Sequence, residues 1–214
     1  MTRDNKPSRW NRKRSHGRLK STRDAKPILL VVCEGAVTEK EYLQGFANKC
    51  RNSRVQIEIA SESGRDPKSL VEIAKTHKKR AEEAAEKQGD ANLAYEQVWC
   101  LHDIDDHPVD KITGAEDMAR DNGIHLAVSN PCIELWLYLH FEDTGVIHRK
   151  KLATLLKKRI PHYDKHVMFE DYETGLADAI KRANVLDSHA KSAGELGRNP
   201  STGVYRLIAE IQKG

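Results

Sequence analysis

Six consecutive apolar residues, ILLVVC at 28–33, run directly into Glu34-Gly35. A short apolar run of this kind predicts a strand buried on both faces, the sort found in the middle of a sheet covered by helices. The carboxylate at its end constrains the chain further. An unpaired charge at the mouth of a buried strand carries a heavy desolvation cost, so Glu34 needs water, a cation or a partner.

The chain then alternates between strand and helix patterns. A helix is predicted over 38–49, with Thr38 as N-cap and Glu41 three residues on completing a capping box. VQIEIA (55–60) has the period of a strand, and Asp66-Pro67 opens a long helix to about Lys87 as N-cap and first helical residue. EQVWCLHD (96–103) is the third strand. A helix near 112–122 ends at Gly123, HLAVS (125–129) is the fourth strand, and Pro131 starts a helix through IELWLYLHF. Ser129 and Asn130 are read as caps for that helix, and Ser201 as a cap for the last one. The final 70 or so residues read as helices at about 149–159, 173–190 and 202–212, with Leu152, Leu156, Leu176, Ile180, Leu207 and Ile211 among their apolar positions. The connections are long enough for parallel crossovers. The expected fold is α/β, a mainly parallel sheet flanked by helices with a helical C-terminal part. Its expected divisions are a basic tail (1–26), an α/β core (27–145) and the helical part (146–214), packed on the core.

The third strand supplies the partners that Glu34 needs. Its end, LHDIDDH, puts Asp103 and Asp105 on the same side of an extended segment. If the first and third strands are neighbours, the three acids converge at the carboxyl edge, where open α/β sheets place ligands. Like charges so close require a cation, and Mg²⁺ or Mn²⁺ suits a few carboxylates plus water. Such an ion can activate water and stabilise charge on a phosphodiester. Turn formation by the aspartates is the plainer reading of the same residues.

Charge distribution narrows the partners. The net charge is +4, yet residues 1–26 hold ten Lys or Arg against Asp4 and Asp24, so the remainder is acidic, about −4. Within that tail Arg9, Arg12, Lys13, Arg14 and Arg18, with Trp10 for stacking, read as a nucleic-acid-binding arm or as a solubilising tail. Lys40 could contact phosphate from the first helix. No segment has the roughly 20 apolar residues of a membrane span, and the basic N-terminus lacks the apolar core of a secretory signal. A cytoplasmic protein is expected, with Cys33, Cys50, Cys100 and Cys132 reduced and too dispersed for structural zinc.

Glu-Gly closing one strand and Asp-x-Asp closing another resemble the Toprim fold of topoisomerases, bacterial primases and old-family nucleases. More closely, VVCEGAVTEKEYL, DIDDH, SNPCIELWLYLHF and NPSTGVYRLIAEI resemble the RloB family, small Toprim-like proteins linked to restriction-modification and abortive-infection loci. The resemblance covers about 26–214. It implies a Mg²⁺- or Mn²⁺-dependent nuclease that cuts RNA or DNA in antiphage defence beside an AAA- or ABC-type ATPase. It also implies acid-base work for Glu34, metal binding by Asp103 and Asp105, and a place for Glu134 in the metal cluster. The chain itself has no G-x-x-x-x-G-K-[ST] loop for ATP. A non-catalytic subunit of an ATPase complex and a nucleotidyl transferase are the alternative expectations. Homo-oligomerisation is open.

Overall fold

The computed structural model describes residues 28–51, 54–59, 66–104, 109–194 and 197–213. Five strands form one sheet in the order β2-β1-β3-β4-β5: β1 (Leu29–Cys33), β2 (Val55–Ile59), β3 (Gln97–Asp103), β4 (His125–Asn130) and β5 (Ser201–Thr202). The first four are parallel, and β5 runs antiparallel to β4. The fold class is therefore the expected one, with a mainly parallel sheet and a helical C-terminal region.

Alternation along β1 explains why its whole apolar run is buried. Leu29, Val31 and Cys33 join the core on one face, and Leu30 and Val32 join the core on the other. In β3, Trp99 and Leu101 face the first core while Val98 and Cys100 face the second. The second core is closed by α2 (Pro67–Gln88) and α3 (Val109–Asp121). The first is closed by α1 (Thr38–Lys49), α4 (Ile133–Leu139), α5 (Arg149–Arg159), α6 (Leu176–Ser192) and α7 (Val204–Lys213). The C-terminal helices thus pack on one face of the sheet, burying Leu152, Leu156, Leu207, Ile208 and Ile211.

Several local expectations are met for the anticipated reasons. Asp66 caps α2 by accepting from the Ser69 N–H at 3.3 Å, with Pro67 at the first helical position. Gly89 ends α2 with a left-handed φ of 63°, which costs glycine little. All four cysteines are free; Cys33, Cys100 and Cys132 are buried.

Other expectations are overturned by long-range contacts. The capping box on α1 does not form: its N-cap is Val37 with no side-chain cap, and Thr38 Oγ1 donates instead to the Lys165 carbonyl at 2.8 Å. Glu41 accepts from the Val167 N–H at 2.8 Å and from His166 Nδ1 at 2.9 Å. Ser129 and Asn130 do not cap α4 either, because Ser129 bonds to the Thr202 hydroxyl and Asn130 Nδ2 donates to the Gly197 carbonyl. Cys132 holds the N-cap position of α4 without a side-chain cap. Ser201 belongs to β5 and does not cap α7.

The aromatic packing centres on Tyr42, whose ring meets Trp136, His140, Phe169 and Tyr172, and Trp136 is fully buried in α4. Its ring meets Tyr42 edge-on at 6.1 Å and His140 at 4.9 Å. His140 Nδ1 lies 3.0 Å from the Trp136 carbonyl and so donates to it, which leaves Nε2 to accept from the Tyr42 hydroxyl at 3.0 Å. Burial lowers the His140 pKa to about 4, so this ring is neutral at physiological pH.

Candidate functional site

The strand order places β1 beside β3, with β2 and β4 on their outer sides. Chain direction across the sheet reverses between β1 and β3. Such a switch point opens a crevice at the carboxyl ends of the strands. Glu34 follows β1 there, held by its N–H donating to the Leu101 carbonyl at 3.1 Å, and Asp103 is the last residue of β3. Side-chain alternation puts Asp103 on the same face as Trp99 and Leu101, toward α4.

A small cavity of about 160 Å³ lies at this edge, lined by Glu39, Asp103, Glu134, Thr38, Arg149 and Lys165 among others. Glu39, Asp103 and Glu134 are all buried, at 6%, 6% and 4% exposure. Glu34 is half-buried, and its charge is felt at Glu39. Gly35 makes this packing possible: the Glu39 carboxylate occupies the space where a Cβ at position 35 would stand. The Glu-Gly pair that ends the first strand therefore provides one acid and admits another.

The charges are only partly balanced. Arg149 at the start of α5 lies 3.7 Å from Asp103 Oδ2, and Tyr163 donates to Glu134 Oε1 at 3.2 Å. Glu134 Oε2 is buried with no hydrogen-bond partner among the described residues. The Cys132 thiol beside it is pushed up by burial, then by the Glu134 charge and a hydrogen bond to the Glu134 carboxylate, and then by the Asp103 charge, against the pull of Arg149. Burial raises the Glu39 pKa, as do the Glu134 and Glu34 charges, against the pull of its own N–H and of Arg149. A carboxyl raised in the native state stabilises fully below its ordinary pKa, and that contribution is lost as pH rises through the native value. Glu39→Gln is therefore expected to raise the melting temperature of metal-free protein more at pH 8 than at pH 5, by about 2–4 °C for each kcal/mol recovered. Equal shifts at both pH values, read by thermal denaturation, would rule out this source of strain.

The donors suit a hard divalent cation: they are oxygen atoms on several carboxylates, and Glu134 Oε2 is buried without a hydrogen-bond partner among the described residues. Asp103, Glu134 and Glu39 could hold such an ion, with Glu34 at the margin. Among the described residues no three His, Cys, Asp or Glu side chains stand as a formed coordination set, so binding would have to draw these acids together.

The sequence-predicted residues divide clearly. Asp103 and Glu134 share the cavity, and Glu34 adjoins it. Asp105 lies outside the described residues, as do Arg9, Trp10, Arg12, Lys13, Arg14 and Arg18. Lys40 is exposed on α1 and does not line the cavity. Glu39, Arg149, Tyr163 and Lys165 were not singled out from sequence. Glu39 alone left a local trace, four residues after Gly35 in the first turn of α1. Lys165 arrives through the contacts of Thr38 and Glu41 with residues 165–167, and its backbone has a φ of 84°, unusual for a side-chain-bearing residue.

A protein-family model described as RloB-like protein matches residues 29–211. The chain belongs to the RloB-like family. No curated protein and no solved structure matches it. In this RloB-like chain the family match spans the whole sheet, the acid cavity and all of the C-terminal helices up to Ile211. Among the described residues no helix is long and apolar enough to cross a membrane.

Proposed function

We propose that this RloB-like protein is a Mg²⁺- or Mn²⁺-dependent nuclease of Toprim type that hydrolyses phosphodiesters of RNA or DNA. The observation that carries this reading is the gathering of Asp103, Glu134 and Glu39 beside Glu34 at the β1–β3 switch point, with Glu134 Oε2 buried and without a hydrogen-bond partner among the described residues. A bound ion would supply charge stabilisation at the phosphodiester and an activated water. Asp103 and Glu134, joined by Asp105, would hold it. Glu34, half-buried and close enough for its charge to act on Glu39, would take or return a proton. Arg149 balances Asp103 in the resting cavity and is half-exposed, so it can also meet an incoming phosphate.

The defence role and the ATPase partner belong to the same proposal. A free nuclease would damage its own cell, and the chain has no phosphate-binding loop of its own for ATP. A partner ATPase would therefore restrain it or deliver it. A second reading, a non-catalytic subunit of such a complex, is favoured by the Arg149–Asp103 ion pair and the lack of a formed coordination set among the described residues.

The two readings separate in one assay. The protein, alone and with any ATPase found encoded beside it, is incubated with labelled RNA and DNA and either Mg²⁺ or Mn²⁺. Cleavage is expected, and Asp103→Asn should lower it by several kcal/mol of barrier, roughly 10³-fold, with the fold intact. Cleavage equal in wild type and variant, or absent from both with the partner present, favours the non-catalytic subunit.

A further inference from the structure

Helix α5 reads RKKLATLLKKR, six cations and no acid in 11 residues. Leu152 and Leu156 bury one side. Lys150, Lys151, Lys157 and Lys158 are exposed, and none has an ion pair among the described residues. At 100° per residue these lysines fall on one face around Thr154, opposite the buried leucines. The long helix α2 is also highly charged, but it carries glutamates among its cations, and Lys75 and Lys79 pair with Glu72 and Glu83. Solvation alone would be served by that mixed pattern, whereas α5 keeps a single sign.

The helix also carries a local conflict. Its first turn holds Arg149, Lys150 and Lys151, has no acid and has no side-chain cap. Cations there oppose the helix dipole and add to the positive potential of the free N–H groups. That end of α5 stands at the acid cavity, where Arg149 meets Asp103 and the exposed Lys165 lines the same wall. Lys165 has no ion pair among the described residues. Its φ of 84° is held by contacts from α1, a strained backbone in the cavity wall.

We propose that the exposed face of α5, continued by Lys165, is the track that binds the phosphate backbone of a nucleic acid and leads it to the acid cavity. The inference deepens the nuclease reading and rests on it for the identity of the cavity. Eleven helical residues span about 16 Å, enough for a few successive phosphates of one strand. The cavity, at about 160 Å³, admits a phosphate but not a base beside it, so the contacts are to backbone. Recognition of this kind is electrostatic and independent of sequence.

Binding of fluorescent single-stranded RNA and DNA to the full chain in EDTA, across a range of salt concentrations, tests this apart from catalysis. Replacing Lys150, Lys151, Lys157 and Lys158 with Gln should flatten the slope of log K against log salt by about 2–3, at about 0.7 per lost contact. Lys165→Gly keeps the backbone conformation open and should remove about one further contact, with a melting temperature no lower than that of wild type because glycine adopts the positive φ without strain. A control that replaces Lys75, Lys79, Arg80 and Lys87 of α2 with Gln removes the same charge and should leave the slope near that of wild type. Equal slopes for the α5 and α2 variants, or no binding by wild type at low salt, would overturn the proposal. Binding that depends on α5 without cleavage under any metal would sink the nuclease reading and leave this one standing. Intact cleavage with binding indifferent to α5 would do the reverse.

Discussion

Glu134→Gln is expected to remove metal-dependent cleavage, by roughly 10²–10³-fold or more, while making the metal-free protein more stable. Both effects come from one feature. The wild-type carboxylate is buried beside Glu39 and the Cys132 thiol, and its Oε2 has no hydrogen-bond partner among the described residues. A buried charge without a full set of partners destabilises the native state, and the neutral amide of the same shape relieves that cost. The loss of charge also removes a ligand, so added Mn²⁺ should raise the melting temperature of wild type but much less that of the variant. A variant that is less stable without metal yet responds to Mn²⁺ like wild type would show Glu134 to be structural, serving only Tyr163.

The second large effect concerns the fold that holds the cavity. Trp136→Ala should cost about 3–5 kcal/mol, a large share of the 5–15 kcal/mol available to a typical domain. The indole packs edge-on against both Tyr42 and His140, and its removal would open a cavity in the helix that carries Glu134. Trp136→Phe keeps much of the apolar surface and should lose less. Chemical denaturation of both variants measures this, and a Trp136→Ala protein with a wild-type midpoint would contradict the packing described.

The sequence made the sheet and its acids legible because their signals are local. The run Leu29–Cys33 is apolar on both faces, and Glu34 and Asp103 each end a strand, so the neighbouring placement of β1 and β3 suffices to bring them to one edge. The span of α5, at 149–159, followed from its leucine spacing and flanking residues. Contacts between distant segments were not legible. Thr38 and Glu41 have the spacing of a capping box, but their side chains are taken by residues 165–167, more than 120 positions away. The same contacts bring Lys165 to the cavity. Two-residue β5 exists only by pairing with β4, and nothing in Ser201-Thr202 itself specifies a strand. Arg149 has the local pattern of any charged helix start; its role depends on Asp103 lying opposite.

The central claim is that the acids at the carboxyl edge of β1 and β3 act together on one divalent ion. Calorimetric titration of the full chain with Mn²⁺, in two buffers of different ionisation enthalpy, tests it most directly. A binding site should be seen in wild type, with proton release that grows as the titration pH is lowered toward the carboxyl range, because burial raises the Glu39 pKa and the ion must displace its proton there. Asp103→Asn and Glu134→Gln should each weaken binding by at least tenfold. Binding that is absent from wild type, or unchanged in both variants, would contradict the account.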